Sequence, residues 1–160
     1  MDLLSFMRKN IKKMNRRETK LMGNFQFKVD TWKNCRDSSN LNNNGVVYGV
    51  ACELDKKQKE MLIKEAKELG GLEESNREIK PIKENYFVLY WGESDIIYGR
   101  GMAHVNGHKG NSNLHLNCYK CLENHNMIYA YIFVEDCNFV EEKLNEQFPP
   151  LLKTFKAKSR

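Results

Sequence analysis

Tyr86-Phe87-Val88-Leu89-Tyr90-Trp91-Gly92-Glu93-Ser94-Asp95-Ile96-Ile97-Tyr98-Gly99-Arg100-Gly101-Met102-Ala103-His104 is the stretch on which the fold turns. Its first six residues are an unbroken apolar run of aromatic and branched side chains, the composition of a buried strand, and Gly92 stops it. Residues 95–104 read as a short helix, weakened at Gly99 and Gly101 by up to about 1 kcal/mol each. A strand that runs into a helix points to a layered fold in which a sheet is covered by helices.

Two more strands and two more helices frame this unit. Upstream, residues 45–52 (GVVYGVAC) are a short β-branched run bounded by asparagines, and residues 127–134 (MIYAYIFV) are its downstream counterpart. Residues 55–69 (DKKQKEMLIKEAKEL) carry an apolar face, with Asp55 placed to cap the start and Gly70-Gly71 to end the helix in the left-handed region. Asn138 is placed to cap a helix over 139–148 that Pro149-Pro150 ends. Residues 114–123 read as a further helix, residues 1–22 as a basic helix with an apolar stripe, and residues 23–44 as irregular chain. The expected class is therefore α/β (α+β), with a small, mainly antiparallel three-stranded sheet flanked by helices. The expected organisation is a basic N-terminal arm and loop (1–44), one domain (45–153) with an inserted helix within 53–85, and a basic tail (154–160).

The 160 residues are 41% hydrophobic, enough for one core, and no apolar run approaches the ~20 residues that a membrane-spanning helix needs. The apolar opening residues precede the basic ones, the reverse of a secretory signal, which reads as a cytoplasmic chain. The net charge of +5 is concentrated at the two ends, with Arg16 and Arg17 closing the N-terminal cluster. Basic ends suit a polyanion, because neutralising phosphates releases counterions. Five cysteines, an odd count, argue against a disulfide framework.

Chemistry concentrates around Tyr90. Arg100 and His104 stand four apart, on one face of the expected helix. An arginine there can grip phosphate through two parallel hydrogen bonds, and a tyrosine hydroxyl beside it can orient a water or handle a proton. Tyr90-Trp91-Gly92 followed by Arg100 and His104 resembles the second half of the GIY-YIG nuclease signature. Gly45-Val46-Val47-Tyr48 is similar to its first half, with one extra residue between glycine and tyrosine. Glu141, followed by Leu144 and Pro150, resembles the acidic helix that closes the family's domain. The stretch between Tyr48 and Tyr90 is longer than the family's short hairpin, and Lys153 stands where the family often has asparagine.

The resemblance implies a restriction-type, sequence-specific endonuclease of double-stranded DNA that leaves a 5′ phosphate and a 3′ hydroxyl. It implies one Mg²⁺ (or Mn²⁺) on Glu141, Arg100 at a phosphate oxygen, and Tyr48 and Tyr90 at the attacking water. His104 would assist the base or the phosphate. It further implies a homodimer, and a cognate methyltransferase in the same system. His108, Lys109, Asn111 and Asn113, in a polar loop, are candidate DNA contacts with Arg16 and Arg17. A rival constellation is His108, His115, Cys118, Cys121 and His125. Cys118-Tyr119-Lys120-Cys121 has the spacing of half a zinc site, which would suit a non-catalytic, zinc-stabilised nucleic-acid-binding module. The same cysteines also fit an apolar helix stripe.

Overall fold

The computed structural model describes residues 2–29, 45–73, 79–94 and 112–156. Four antiparallel strands form the main sheet: β1 (Glu18–Phe27), β2 (Val46–Glu53), β3 (Tyr86–Ser94) and β5 (Met127–Val134), in the order β1-β5-β2-β3. Two short strands, β4 (Ser112–Asn113) and β6 (Phe155–Lys156), pair separately. Helix α1 (Leu3–Lys13) precedes β1, α2 (Lys56–Leu69) joins β2 to β3, and α3 (Cys137–Gln147) follows β5. The α/β reading and the antiparallel pairing hold, but the main sheet has four strands rather than three.

β2 and β5 lie inside the sheet and are almost wholly buried, as their near-continuous apolar runs require. Alternation sends Tyr48, Val50 and Cys52 to one face, with Leu62 and Ala66 of α2. Val47 and Ala51 go to the other, with Leu3, Met7 and Ile11 of α1 and Val140 and Leu144 of α3. Two strand glycines lie beneath aromatic rings of the neighbouring strand, Gly23 under Tyr131 and Gly49 under Trp91, each pair in direct register. Such rings cover the gap that a glycine leaves in a sheet.

The helix that the sequence marks most clearly forms as expected. Asp55 Oδ1 accepts from Gln58 N at 2.7 Å, and Gln58 Oε1 accepts from Asp55 N at 3.0 Å, closing both ends of a capping box. Gly70, at φ 85°, ends α2. α3 begins one residue before the expected cap: Asp136 precedes it at φ 57°, without a side-chain cap. After Pro149-Pro150 the chain runs onto the edge of β3, where Leu151 N and Leu152 N donate to the Val88 and Leu89 carbonyls.

Three expectations need correction. The basic N-terminal helix stops at Lys13, because Asn15 turns into the left-handed region at φ 61°, and the chain returns as β1. Residues 2–27 are therefore packed into the fold rather than a separate arm: Leu3, Met7 and Ile11 are fully buried and β1 pairs along β5. The expected helix over 114–123 is instead two 3₁₀ turns, Leu116–Cys118 and Lys120–Leu122, with Tyr119 extended between them at φ −89° and ψ 110° and His115 left-handed at φ 50° before them. The expected helix over 95–104 lies outside the described residues.

Candidate active site at one end of the sheet

Pairing of β2 with β3 sets Tyr48 opposite Gly92. The Tyr48 ring lies directly over Gly92, where a methyl group would overlap the ring and its hydroxyl. This is the physical reason for glycine in Tyr90-Trp91-Gly92. Tyr90 is half-buried on the same side, its ring centroid 6.2 Å from that of Tyr48. A bulge between Val50 and Ala51 accommodates it. Tyr129 of β5 stacks on the other side of Tyr48 at 5.4 Å and 28°. Tyr48 itself is only 1% exposed.

Glu93, the next residue, turns to the opposite face, toward α3. The Asn138 amide donates to its carboxylate, and the Cys137 thiol hydrogen-bonds to it. Burial, chiefly, and this contact push the Cys137 thiol up to about 11. A side chain at Gly45 would overlap Cys137 Sγ, so the glycine that opens the first motif admits the start of α3. One turn further on, Glu141 is half-buried, and Asn145 Nδ2 donates to its Oε1 at 2.8 Å. Burial raises its pKa above the ordinary carboxylate value, the charges of Glu93 and Glu142 add to this, and the Asn145 hydrogen bond opposes it. A cleft of about 490 Å³ opens beside these residues, lined by Gly45 and by Val134 to Phe139.

The tyrosine pair and Glu141 thus sit at the same end of the sheet but on different faces, joined through the Gly92-Glu93 peptide. Arg100, His104, His108, Lys109 and Asn111 lie outside the described residues. Arg16 holds α3: its guanidinium stands 4.3 Å over the Phe139 ring and 3.3 Å from Asp136 Oδ2. Arg17 is exposed, and its carbonyl accepts from Glu135 N. Asn113 is a correction. It lies in β4 and is 2% exposed, so its amide has no access to a base edge.

Among the described residues, no group of three or more His, Cys, Asp or Glu is arranged to hold a metal. Of the rival set, His115 packs on the Phe155 ring, Cys121 faces Glu65, and the His125 imidazole reaches the Glu53 carbonyl at 2.6 Å. Glu93, Asn138 and Asn145 are the site residues that the sequence reading missed. Parity alone points to Glu93: the residue after a glycine that lies under one face of a sheet projects from the other. Compared with protein-family models, with curated proteins and with solved structures, the chain shows no match. Among the described residues, no helix is long and apolar enough to cross a membrane.

Proposed function

We propose that this chain is a divalent-metal-dependent endonuclease of double-stranded DNA with a GIY-YIG-like catalytic core. The observation that carries the reading is the register of β2 on β3. It puts the two motif tyrosines side by side and gives both motif glycines a steric reason, Gly92 under Tyr48 and Gly45 against Cys137. Glu141 comes to the same end of the sheet on the helix that follows β5.

The oxygen donors fit a hard cation. Glu141 would hold it, with Glu93 as the neighbouring carboxylate, and a Mg²⁺ site of one or two carboxylates takes its remaining ligands from water and phosphate. Bound there, the ion supplies positive charge to the scissile phosphate and the leaving oxygen. The charges of Glu93 and Glu142 act on Glu141, and this concentration of negative charge favours a cation beside it. Asn145 fixes the rotamer of Glu141. The resemblance assigns Tyr90 to the attacking water and Tyr48 to its proton; the two rings lie on the face opposite Glu141, Tyr90 half-exposed and Tyr48 buried, so they would meet the metal site only around the end of the sheet. The resemblance assigns Arg100 to offset charge on the phosphate and His104 to assist it.

The deep burial of Tyr48 favours a second reading, in which the tyrosines are core and the chain binds nucleic acid without cutting it. Arg100→Lys separates the two. It keeps the charge but loses the planar two-point grip, and a transition-state clamp should lose roughly 2 kcal/mol, or about thirtyfold in single-turnover rate, at an unchanged melting temperature. Cleavage at the wild-type rate moves the clamp elsewhere.

A further inference from the structure

We propose that the cleft at the other end of the sheet is a nucleotide-binding site, which takes one unpaired base among side-chain amides and its phosphate toward the exposed lysines that lie close to them in the chain. The cleft holds about 500 Å³ and is bordered by Gln26, Gln58, Tyr86, Asn124, His125 and Asn126, over a floor that includes Cys52 and Met127. It forms where β1 and β2 end and where β3 and β5 begin. Glu53 lies five residues along β2 from Tyr48, roughly 17 Å at the rise of a strand, so the cleft is separate from the tyrosine pair.

The lining determines the ligand class. Among the described residues no lysine or arginine lines the cleft, and Glu53 does, so a bare phosphate is not the group it is built for. Each side-chain amide offers two donors and an acceptor, the repertoire that matches the edge of a base. Gln58 Oε1 is committed to Asp55 N, which leaves its NH₂ group as the donor. His125 Nε2 faces the Glu53 carbonyl at 2.6 Å; a carbonyl only accepts, so Nε2 carries the proton and Nδ1 of the neutral ring is an acceptor. That bond also ties the turn before β5 to the end of β2 and so orders the pocket before any ligand arrives. Lysines lie close to two of the lining residues along the chain. Lys28 lies two residues from Gln26, and Lys56 and Lys57 immediately precede Gln58; all three are exposed. A border of side-chain amides over an apolar floor, with exposed lysines close in the chain to two of the lining residues, complements a base joined to a phosphate. The site needs no chemistry at the opposite end of the sheet, so it stands whether or not the chain cuts DNA.

The test is a nuclear magnetic resonance titration of the full chain with each of the four 5′ mononucleotides, with ribose 5-phosphate, inorganic phosphate and glucose as controls. At least one mononucleotide, at up to about 10 mM, should shift the side-chain signals of Gln58, His125 and Asn126 in a saturable way, and no control should do so. Asn126→Ala, at an exposed position, should weaken that binding about fivefold at an unchanged melting temperature. The double variant Lys56→Ala/Lys57→Ala should weaken binding of the mononucleotide but not of its nucleoside. The proposal is overturned if no mononucleotide shifts these signals, if ribose 5-phosphate, phosphate or glucose shifts them equally well, or if Asn126→Ala binds like the wild type.

Discussion

Gly92 has Tyr48 on one side and Glu93 beyond it, and it links the two halves of the candidate site. Gly92→Ala drives a methyl group into the Tyr48 ring, so it should cost about 1–3 kcal/mol of stability, measured by denaturant unfolding. A cost below about 0.5 kcal/mol would mean that the ring does not lie there. Glu141→Gln keeps an oxygen for Asn145 but removes the charge. Because folding raises the Glu141 pKa, its ionised form costs stability above that pKa, and the cost fades as the pH falls through it. Glu141→Gln should therefore melt at or above the wild-type temperature at neutral pH, and the difference should vanish in acid. Its cleavage rate should fall at least roughly a hundredfold. Cys137 and Cys121, raised to about 11 and about 12, should alkylate far more slowly at pH 8 than exposed Cys118, as mass spectrometry of iodoacetamide-treated protein would read out. At this scale the site was half legible. Tyr48, Tyr90 and Glu141 announce themselves because glycines and a proline stand at fixed distances from them. Glu93, Asn138 and Asn145 do not, because a carboxylate in a strand tail and asparagines in a helix look like ordinary surface residues until β3 and α3 are packed together.

Among the elements, α1 departs most from its reading. Leu3, Met7 and Ile11 are fully buried against the sheet and Phe6 nearly so, at roughly 1.5–3 kcal/mol apiece, and Phe6 also packs edge-on against Phe148. Losing them would remove much of the margin of 5–15 kcal/mol that a domain of this size carries. Deleting residues 2–13 should therefore leave a chain with no cooperative thermal transition, and a sharp transition in the truncated chain would restore the idea of a separable arm. Arg16→Ala should cost about 1 kcal/mol, since it loses a cation–π contact and a partly exposed ion pair that together hold the start of α3. The elements that the sequence disclosed are those with explicit ends: α2 has Asp55, Gln58 and Gly70, and α3 has its double proline. β1 was hidden because Met22-Gly23-Asn24 breaks the alternation, and the Gly23 gap is filled only by Tyr131 from another strand. The segment 114–123 misled through Leu114, Cys118, Cys121 and Leu122, whose spacing imitates a helix stripe while Tyr119 takes an extended conformation that breaks one.

For the whole molecule, the proposed function places a metal-dependent site for cutting DNA at one end of the sheet. The most direct measurement incubates long, mixed-sequence duplex DNA with the wild-type chain and with Glu141→Gln, each with Mg²⁺ or EDTA, and follows both cleavage and binding. Neutralised phosphates make binding depend on salt, so each chain is measured at two salt concentrations. The wild type with Mg²⁺ should give discrete fragments with 5′ phosphate and 3′ hydroxyl ends, EDTA should stop cleavage, and the Glu141→Gln chain should bind with the same salt dependence yet leave the DNA intact. DNA left whole by the wild type in both Mg²⁺ and Mn²⁺, or cut by Glu141→Gln at the wild-type rate, would contradict the proposed function.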